Sequence, residues 1–174
     1  MLKISREAIA NYLDKGKTPK IEEDFIPASL KQRSGVFVTL RKKGELRGCI
    51  GRFVSDSPLY ELLIEMSVAS ATQDSRFLPV SGKELNSVDI EISVLTPLHK
   101  ITSISEIVPG KHGIYIKKGK SSGTFLPKVA IETGWNLEEL LGHCARDKAG
   151  LGWDGWKDAE LYTYEAIVFE EKHN

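Results

Sequence analysis

Hydrophobic and polar positions alternate most cleanly between Val88 and Leu95. Val88, Ile90, Ile92 and Val94 fall on one side and Asp89, Glu91 and Ser93 on the other. A period of two predicts a strand with one buried face. Two further strands are predicted as a hairpin. Gly35–Leu40 is β-branched and aromatic, Arg41–Gly44 is a turn, and Glu45–Phe53 returns. A second hairpin pairs 113–118 with 123–131 across the tip 119–123, and 161–170 reads as a last strand. Helical spacing appears three times. Residues 4–14 carry Ile9, Tyr12 and Leu13 on one stripe, with Ser5 as the expected cap. In the segment 55–72, Leu59, Leu62, Leu63 and Met66 follow the i, i+3, i+4, i+7 rule. Ser57 is expected to cap that helix and Pro58 to open it. Residues 136–148 form the third, with Asn136 and Glu139 at capping-box spacing and Gly150 as the stop. The polar stretches 14–27 and 73–85 are read as connections, the latter with one helical turn.

These elements recur in the same order at an offset of 78. Gly35 aligns with Gly113, Val38 with Ile116, Leu62 and Leu63 with Leu140 and Leu141, and Val88 and Ile90 with Ala166 and Val168. The expected fold is α+β: two β-rich halves, about 30–95 and 108–170, with flanking helices. An internal duplication is one account of the repeat, and chance recurrence of an amphipathic helix after a hairpin is the other. The 174 residues suit one domain built of two such parts.

Charge narrows the functional classes. Lys plus Arg and Asp plus Glu are both 24, so the basic excess of a general nucleic-acid binder is missing. No apolar run approaches the ~20 residues that cross a bilayer, and the first residues lack a signal-type apolar core. Two cysteines do not make a disulfide framework. A cytoplasmic protein away from membranes, with nucleic acid outside its partners, is the expectation.

The two cysteines sit in different patterns. Cys144 lies on the helical stripe Leu137, Leu140, Leu141, which predicts a buried, inert thiol. Cys49 lies in "ELRGCIGRF", between Gly48 and Gly51. Strand alternation would put Arg47 and Cys49 on one face, about 6–7 Å apart at Cα. A guanidinium at that range favours thiolate, and glycines in a strand mark a bulge or a close approach by another group. Cys49 is therefore the candidate nucleophile, with a small buried cysteine in a bulged strand as the plain alternative. Asp74 and Arg76 in "QDSRFLP" are candidate ligand groups or a structural ion pair tying the loop down. His112 is a candidate base or a turn histidine satisfied by backbone. No His or Cys pair stands at metal-ligand spacing. "GKSSG" fails as a phosphate loop because Ile114 stands where glycine is required and a strand follows. Trp153 and Trp156 are expected to pack in a core.

"GVFVTL", "GELRGCIG", "DSRFLPV", "VDIEISVL", "GKHGIYI", "GTFLPKVA" and "KAGL" occur in that order over 35–170. In this the chain resembles the AMMECR domain family. The family pattern has proline where Ser75 stands, a departure that bears on the shape of that loop alone. The resemblance implies two parts with a central cleft between them, faced by Leu46–Gly51, and it brings no defined reaction or cofactor; the residue patterns add Arg47, Gly48, Gly51, Asp74, Arg76 and His112 as the candidate groups for an unidentified small ligand. It also implies a setting beside a Memo-like protein and a radical S-adenosylmethionine enzyme. The chain has no Cys-x3-Cys-x2-Cys run, so it is not that enzyme. Two functions follow: a ligand-processing or enzymatic cleft that uses Cys49, which is the working expectation, and a non-catalytic module that binds a partner through the same strand.

Overall fold

The computed structural model describes residues 1–19, 21–53 and 56–171; Ser55, which opens the segment expected to be helical, and His173 lie outside them. The chain divides into two compact units, Met1–Leu95 with Ile167–Asn174, and Thr96–Ala166. Each is built on a four-stranded sheet, giving the α+β class that the alternation of periods implies.

In the first unit, helix α1 (Leu2–Lys15) is followed by the short helix α2 (Ala28–Lys31) and the hairpin β1 (Val36–Lys42) and β2 (Glu45–Arg52). Helix α3 (Leu59–Thr72), the single turn α4 (Gly82–Leu85) and strand β3 (Asp89–Leu95) follow. The strand β8 (Ala166–Glu170) completes the sheet in the order β2-β1-β3-β8. Val36, Val38, Leu40, Ile90 and Ile92 turn one face of the sheet onto Leu59, Leu62, Leu63 and Met66 of α3, and all are buried. Helix α3 is buried over most of its circumference, with Glu61 and Glu65 on its one exposed stripe. A second buried side, Tyr60, Ile64 and Val68, packs with Ala8 and Ile26.

Two caps differ from expectation. Ser5 is interior to α1 and buried, its hydroxyl 2.7 Å from that of Ser67 on α3. The hydroxyl pair lets two helices approach where neither could bury an unpartnered oxygen. Helix α3 begins one residue later than predicted, with Pro58 at the cap position in place of Ser57.

The second unit runs through β4 (His99–Ile101), β5 (Gly113–Lys118), β6 (Ser121–Phe125), helices α5 (Pro127–Thr133) and α6 (Leu137–His143), and β7 (Glu160–Tyr164), with sheet order β4-β7-β5-β6. The return strand of its hairpin ends at Phe125, not 131, because Pro127 opens a helix. Asn136 and Glu139 form the expected capping box. Past His143 the helix widens into a π turn, Cys144–Lys148. Cys144 is buried on the stripe with Leu140 and Leu141, and burial pushes its thiol up to about 12. Trp156 joins this core while Trp153 is 38% exposed.

The last strand of the sequence reading is two strands. It breaks at Glu165, whose carbonyl accepts from the Thr96 amide and whose own amide donates to Thr96 Oγ1. β7 then pairs with β5 as β3 pairs with β1, both antiparallel. The strand that corresponds to β3 by pairing is therefore β7, not the 166–168 segment picked out by the offset of 78.

Candidate functional site

Strand β2 is an edge strand, and its middle is where chemistry-bearing residues gather. In register, Leu40 faces Gly48 and Arg41 faces Leu46, so Arg47 has no partner in β1 and forms a bulge. The bulge interrupts strict alternation. Arg47 consequently does not serve Cys49; with Nε 3.0 Å and Nη2 3.1 Å from Glu84 it grips that carboxylate by two bonds. Lys42 reaches the same Glu84 at 2.9 Å. The two cations, Arg47 first, hold the Glu84 carboxyl down at about 2. Arg47 Nη1 is buried and has no hydrogen-bond partner.

Both glycines of "RGCIG" stand where a side chain would collide. A Cβ on Gly48 would lie 2.2 Å from the Ser70 carbonyl oxygen, and one on Gly51 2.2 Å from the Phe37 ring. Ser70 is buried on α3 and bridges the hairpin: its hydroxyl donates to the Val38 carbonyl at 2.8 Å and accepts from the Ile50 amide at 3.0 Å. Gly48 and Ser70 are thus one device that lets the helix backbone sit against the strand.

Cys49 is half-buried and paired across the hairpin with Thr39, whose Oγ1 is 3.3 Å from Sγ. Its backbone faces outward from the sheet and is met by the loop after α3. The Cys49 amide donates to Asp74 Oδ2 at 2.8 Å, and Arg76 Nη2 donates to the Cys49 carbonyl at 3.4 Å. Arg76 also holds Asp74 through Nε at 2.9 Å and Nη2 at 2.6 Å. The ion pair therefore stands in for the missing neighbouring strand. Asp74 is buried and Arg76 half-exposed. The Arg76 guanidinium, followed by the Cys49 and Arg76 amides, outweighs burial and brings the Asp74 carboxyl down to about 2. Phe77 lies under both arginines, its centroid 5.9 Å from Arg47 and 5.5 Å from Arg76. Beside these, Leu46 is 37% and Leu78 83% exposed.

A family pattern described as AMMECR1 matches residues 2–169. The chain belongs to the AMMECR1 family. It is 42% identical over 183 residues to a Methanopyrus kandleri protein, covering 99% of this chain and 87% of that one. It is 41% identical over 179 residues to a Methanothermobacter thermautotrophicus protein, covering 98% and 92%. The crystal structure of an uncharacterized protein from Pyrococcus horikoshii superimposes with a TM-score of 0.92 at 38% identity, over 99% of this chain and 90% of that one.

Of the residues singled out in this AMMECR1 domain, Arg47, Gly48, Cys49, Gly51, Asp74 and Arg76 lie in the first unit and His112 in the second. His112 lines a cavity of about 340 Å³ with His99, Glu106, Thr163, Tyr164 and Glu165. Its Nδ1 accepts from the Val108 amide at 3.2 Å, which leaves the proton of the neutral ring on Nε2. Glu106 is turned to the Ser103 and Thr102 amides, which lower its carboxyl. Among the described residues no three His, Cys, Asp or Glu side chains gather to hold a metal, and no helix is long and apolar enough to cross a membrane.

Sequence reasoning missed Thr39, Ser70, Phe77 and Glu84. Two of them left a signal. Ser81 and Glu84 have the S-x-x-E spacing of a helix start, and Ser81 Oγ indeed accepts the Glu84 amide. Ser70 is a hydroxyl in the otherwise small and apolar run "VASA" of a buried helix, where an oxygen requires a partner.

Proposed function

We propose that this AMMECR1 domain is a recognition module whose contact surface is the β2 edge with the Asp74–Pro79 loop. On this reading its partners are the Memo-like protein and the radical S-adenosylmethionine enzyme that the family resemblance implies. The observation that carries it is the clamp on Cys49: a buried carboxylate and a half-exposed guanidinium fix the backbone of a glycine-flanked edge strand beside exposed Leu46 and Leu78. A rigid edge, an accessible cation and two apolar side chains form a surface that reads a segment of another chain or a small carboxylate ligand. Nothing in it requires the thiol to react. The contacts of Cys49 Sγ are with a neutral hydroxyl, and Arg47 is committed to Glu84.

A second reading keeps Cys49 as a nucleophile or thiol carrier, with Arg76 in the anion-holding role first given to Arg47. It rests on the contrast in exposure between half-buried Cys49 and buried Cys144.

The test is binding of the purified Memo-like and radical S-adenosylmethionine proteins to the full chain, compared with Leu46→Asp, Leu78→Asp and Cys49→Ser. The recognition reading expects the two Asp variants to lose binding while their melting is unchanged, and Cys49→Ser to bind as wild type. Unaltered binding by both Asp variants removes the surface from consideration. Loss confined to Cys49→Ser transfers support to the thiol.

A further inference from the structure

Four strands end the two sheets: β2 and β8 in the first unit, β4 and β6 in the second. An edge strand offers its outward amides and carbonyls to any strand that arrives alongside, and natural proteins usually blunt such edges. Three of these four make poor templates. On β2 the backbone of Cys49 is taken by Asp74 and Arg76. β6 reads Ser-Ser-Gly-Thr-Phe, polar over most of its length and weakened by a glycine. β4 is only three residues long, His99–Ile101.

Among the described residues β8 has none of these devices. Its sequence, Ala-Ile-Val-Phe-Glu, contains no proline, no lysine and no glycine. Ile167, Val168 and Phe169 are 59%, 50% and 40% exposed. Consecutive strand residues point to opposite faces, so this edge is apolar and open on both. We infer that β8 is a self-association edge: two copies of the chain pair antiparallel about a two-fold axis through Val168, and two four-stranded sheets become one continuous sheet.

The backbone supports that register. At the two ends of β8 the Thr96 amide donates to the Glu165 carbonyl and the Glu171 amide to the Ile90 carbonyl, so β8 runs antiparallel to β3. Antiparallel bonding alternates along a strand. Residues 165, 167, 169 and 171 therefore bond inward, and the amides and carbonyls of Ala166, Val168 and Glu170 point outward. About the Val168 axis, Val168 meets its own copy and Ala166 meets Glu170, each as a hydrogen-bonded pair. Ile167 meets Phe169 as an apolar pair across the seam, the kind of contact that stabilises a sheet.

Charge fits a second copy. The carboxylates flanking β8 are engaged, Glu165 with Lys111 at 3.3 Å and Glu171 with Arg6, and the exposed Glu170 within the strand meets Ala166 of the other copy, not another carboxylate. In the paired register Glu165 faces Glu171 of the other copy, and each arrives with its own cation. An isologous, closed dimer is also the commonest form of self-assembly. This inference is independent of how the β2 edge is used.

Sedimentation equilibrium of the full chain, between about 1 and 100 µM, tests it. The wild type is expected to be a dimer that dissociates on dilution, and Val168→Lys to weaken association at least about tenfold with an unchanged melting curve. A second probe is Val168→Cys in a Cys49→Ser background, where a short bis-maleimide is expected to join two chains across the axis. A wild type that stays monomeric at the top of the range, association undiminished in a folded Val168→Lys, or no crosslink at Val168→Cys overturns the inference.

Discussion

The two hairpins, β1–β2 and β5–β6, occupy the same place in their sheets, yet their outer strands are held in different ways. β6 is held on its face by packing: the backbone at Lys148–Ala149 lies on Gly123, and Lys148 Nζ stands 5.7 Å from the centroid of the Phe125 ring. β2 is closed by charge: Asp74 and Arg76 hold Cys49, Arg47 and Lys42 hold Glu84, and Ser70 bridges the ladder from behind. A packed contact has one state. A closure built of carboxylates, guanidiniums and a hydroxyl can be titrated, competed for or displaced by a ligand bearing the same groups, and this is why the β2 edge, and not its counterpart, is the candidate site.

The contrast is broken most severely at its two glycines. Gly48→Val is expected to abolish folding, because the obstacle is the Ser70 carbonyl of a buried helix. Gly123→Val is expected to cost about 3 kcal/mol, because the Lys148–Ala149 backbone it meets approaches to 2.6 Å rather than the 2.2 Å at Gly48. Thermal melts of both variants check the order. If Gly48→Val is the milder, the rigid backing of β2 has been misjudged.

Next in size is Asp74→Ala. It leaves the Cys49 amide without an acceptor and Arg76 without its partner, at a cost of about 2–3 kcal/mol, seen in urea unfolding. Arg76→Ala is expected to cost less, since Arg76 is half-exposed and water can replace part of its contribution.

Acid separates the two edges without mutation. Asp74 and Glu84 both titrate in the folded chain at about 2, below their ordinary values of 3.8 and 4.5. A carboxylate with a depressed folded value stabilises fully above its ordinary value, and that contribution disappears as pH falls through the folded one. The backbone amide signal of Cys49 is therefore expected to move between about pH 4 and 2 while that of Gly123 stays still. Movement of both, or of neither, would remove the distinction.

The smallest effect concerns the thiols. Cys49→Ser is expected to change stability by less than about 1 kcal/mol, since it exchanges one contact with Thr39 for another. Iodoacetamide is expected to reach Cys49 in the native protein and Cys144 only on unfolding, because burial has pushed the Cys144 thiol up to about 12. Mass spectrometry of the alkylated chain reads both outcomes.

How much of this was legible in the sequence depended on how local the cause is. Val88–Leu95, the glycine-flanked "RGCIG" and the Asn136–Glu139 cap were legible, because period, missing side chains and cap spacing act within a few residues. The buried carbonyl that explains Gly48 belongs to Ser70, 22 positions further on (70 less 48). The true partner of Arg47 is Glu84, and the bulge that takes Arg47 away from Cys49 exists only in the register of β1 with β2. Strand-by-strand alternation has no means of expressing a bulge, so it joined Arg47 to Cys49. Repeat matching failed at the last strand for a related reason: an offset counts positions, whereas β7 and β8 are divided by the bonds of Glu165 with Thr96.

The division at Glu165 also sets an order on biosynthesis. Each sheet takes its fourth strand from across the chain: β4 follows β3 yet pairs with β7, and β8 follows β7 yet completes the sheet of β3. Thr96–Ala166 is continuous, so everything its sheet requires has been made once residue 166 clears the ribosome. The first unit waits for Ile167 onward, although it begins at the amino terminus. In a nascent chain the later unit is thus ready to close before the earlier one, a reversal of the usual amino-terminal-first sequence. Until β8 has emerged, β3 keeps an open flank that a premature stop codon near residue 165 would make permanent.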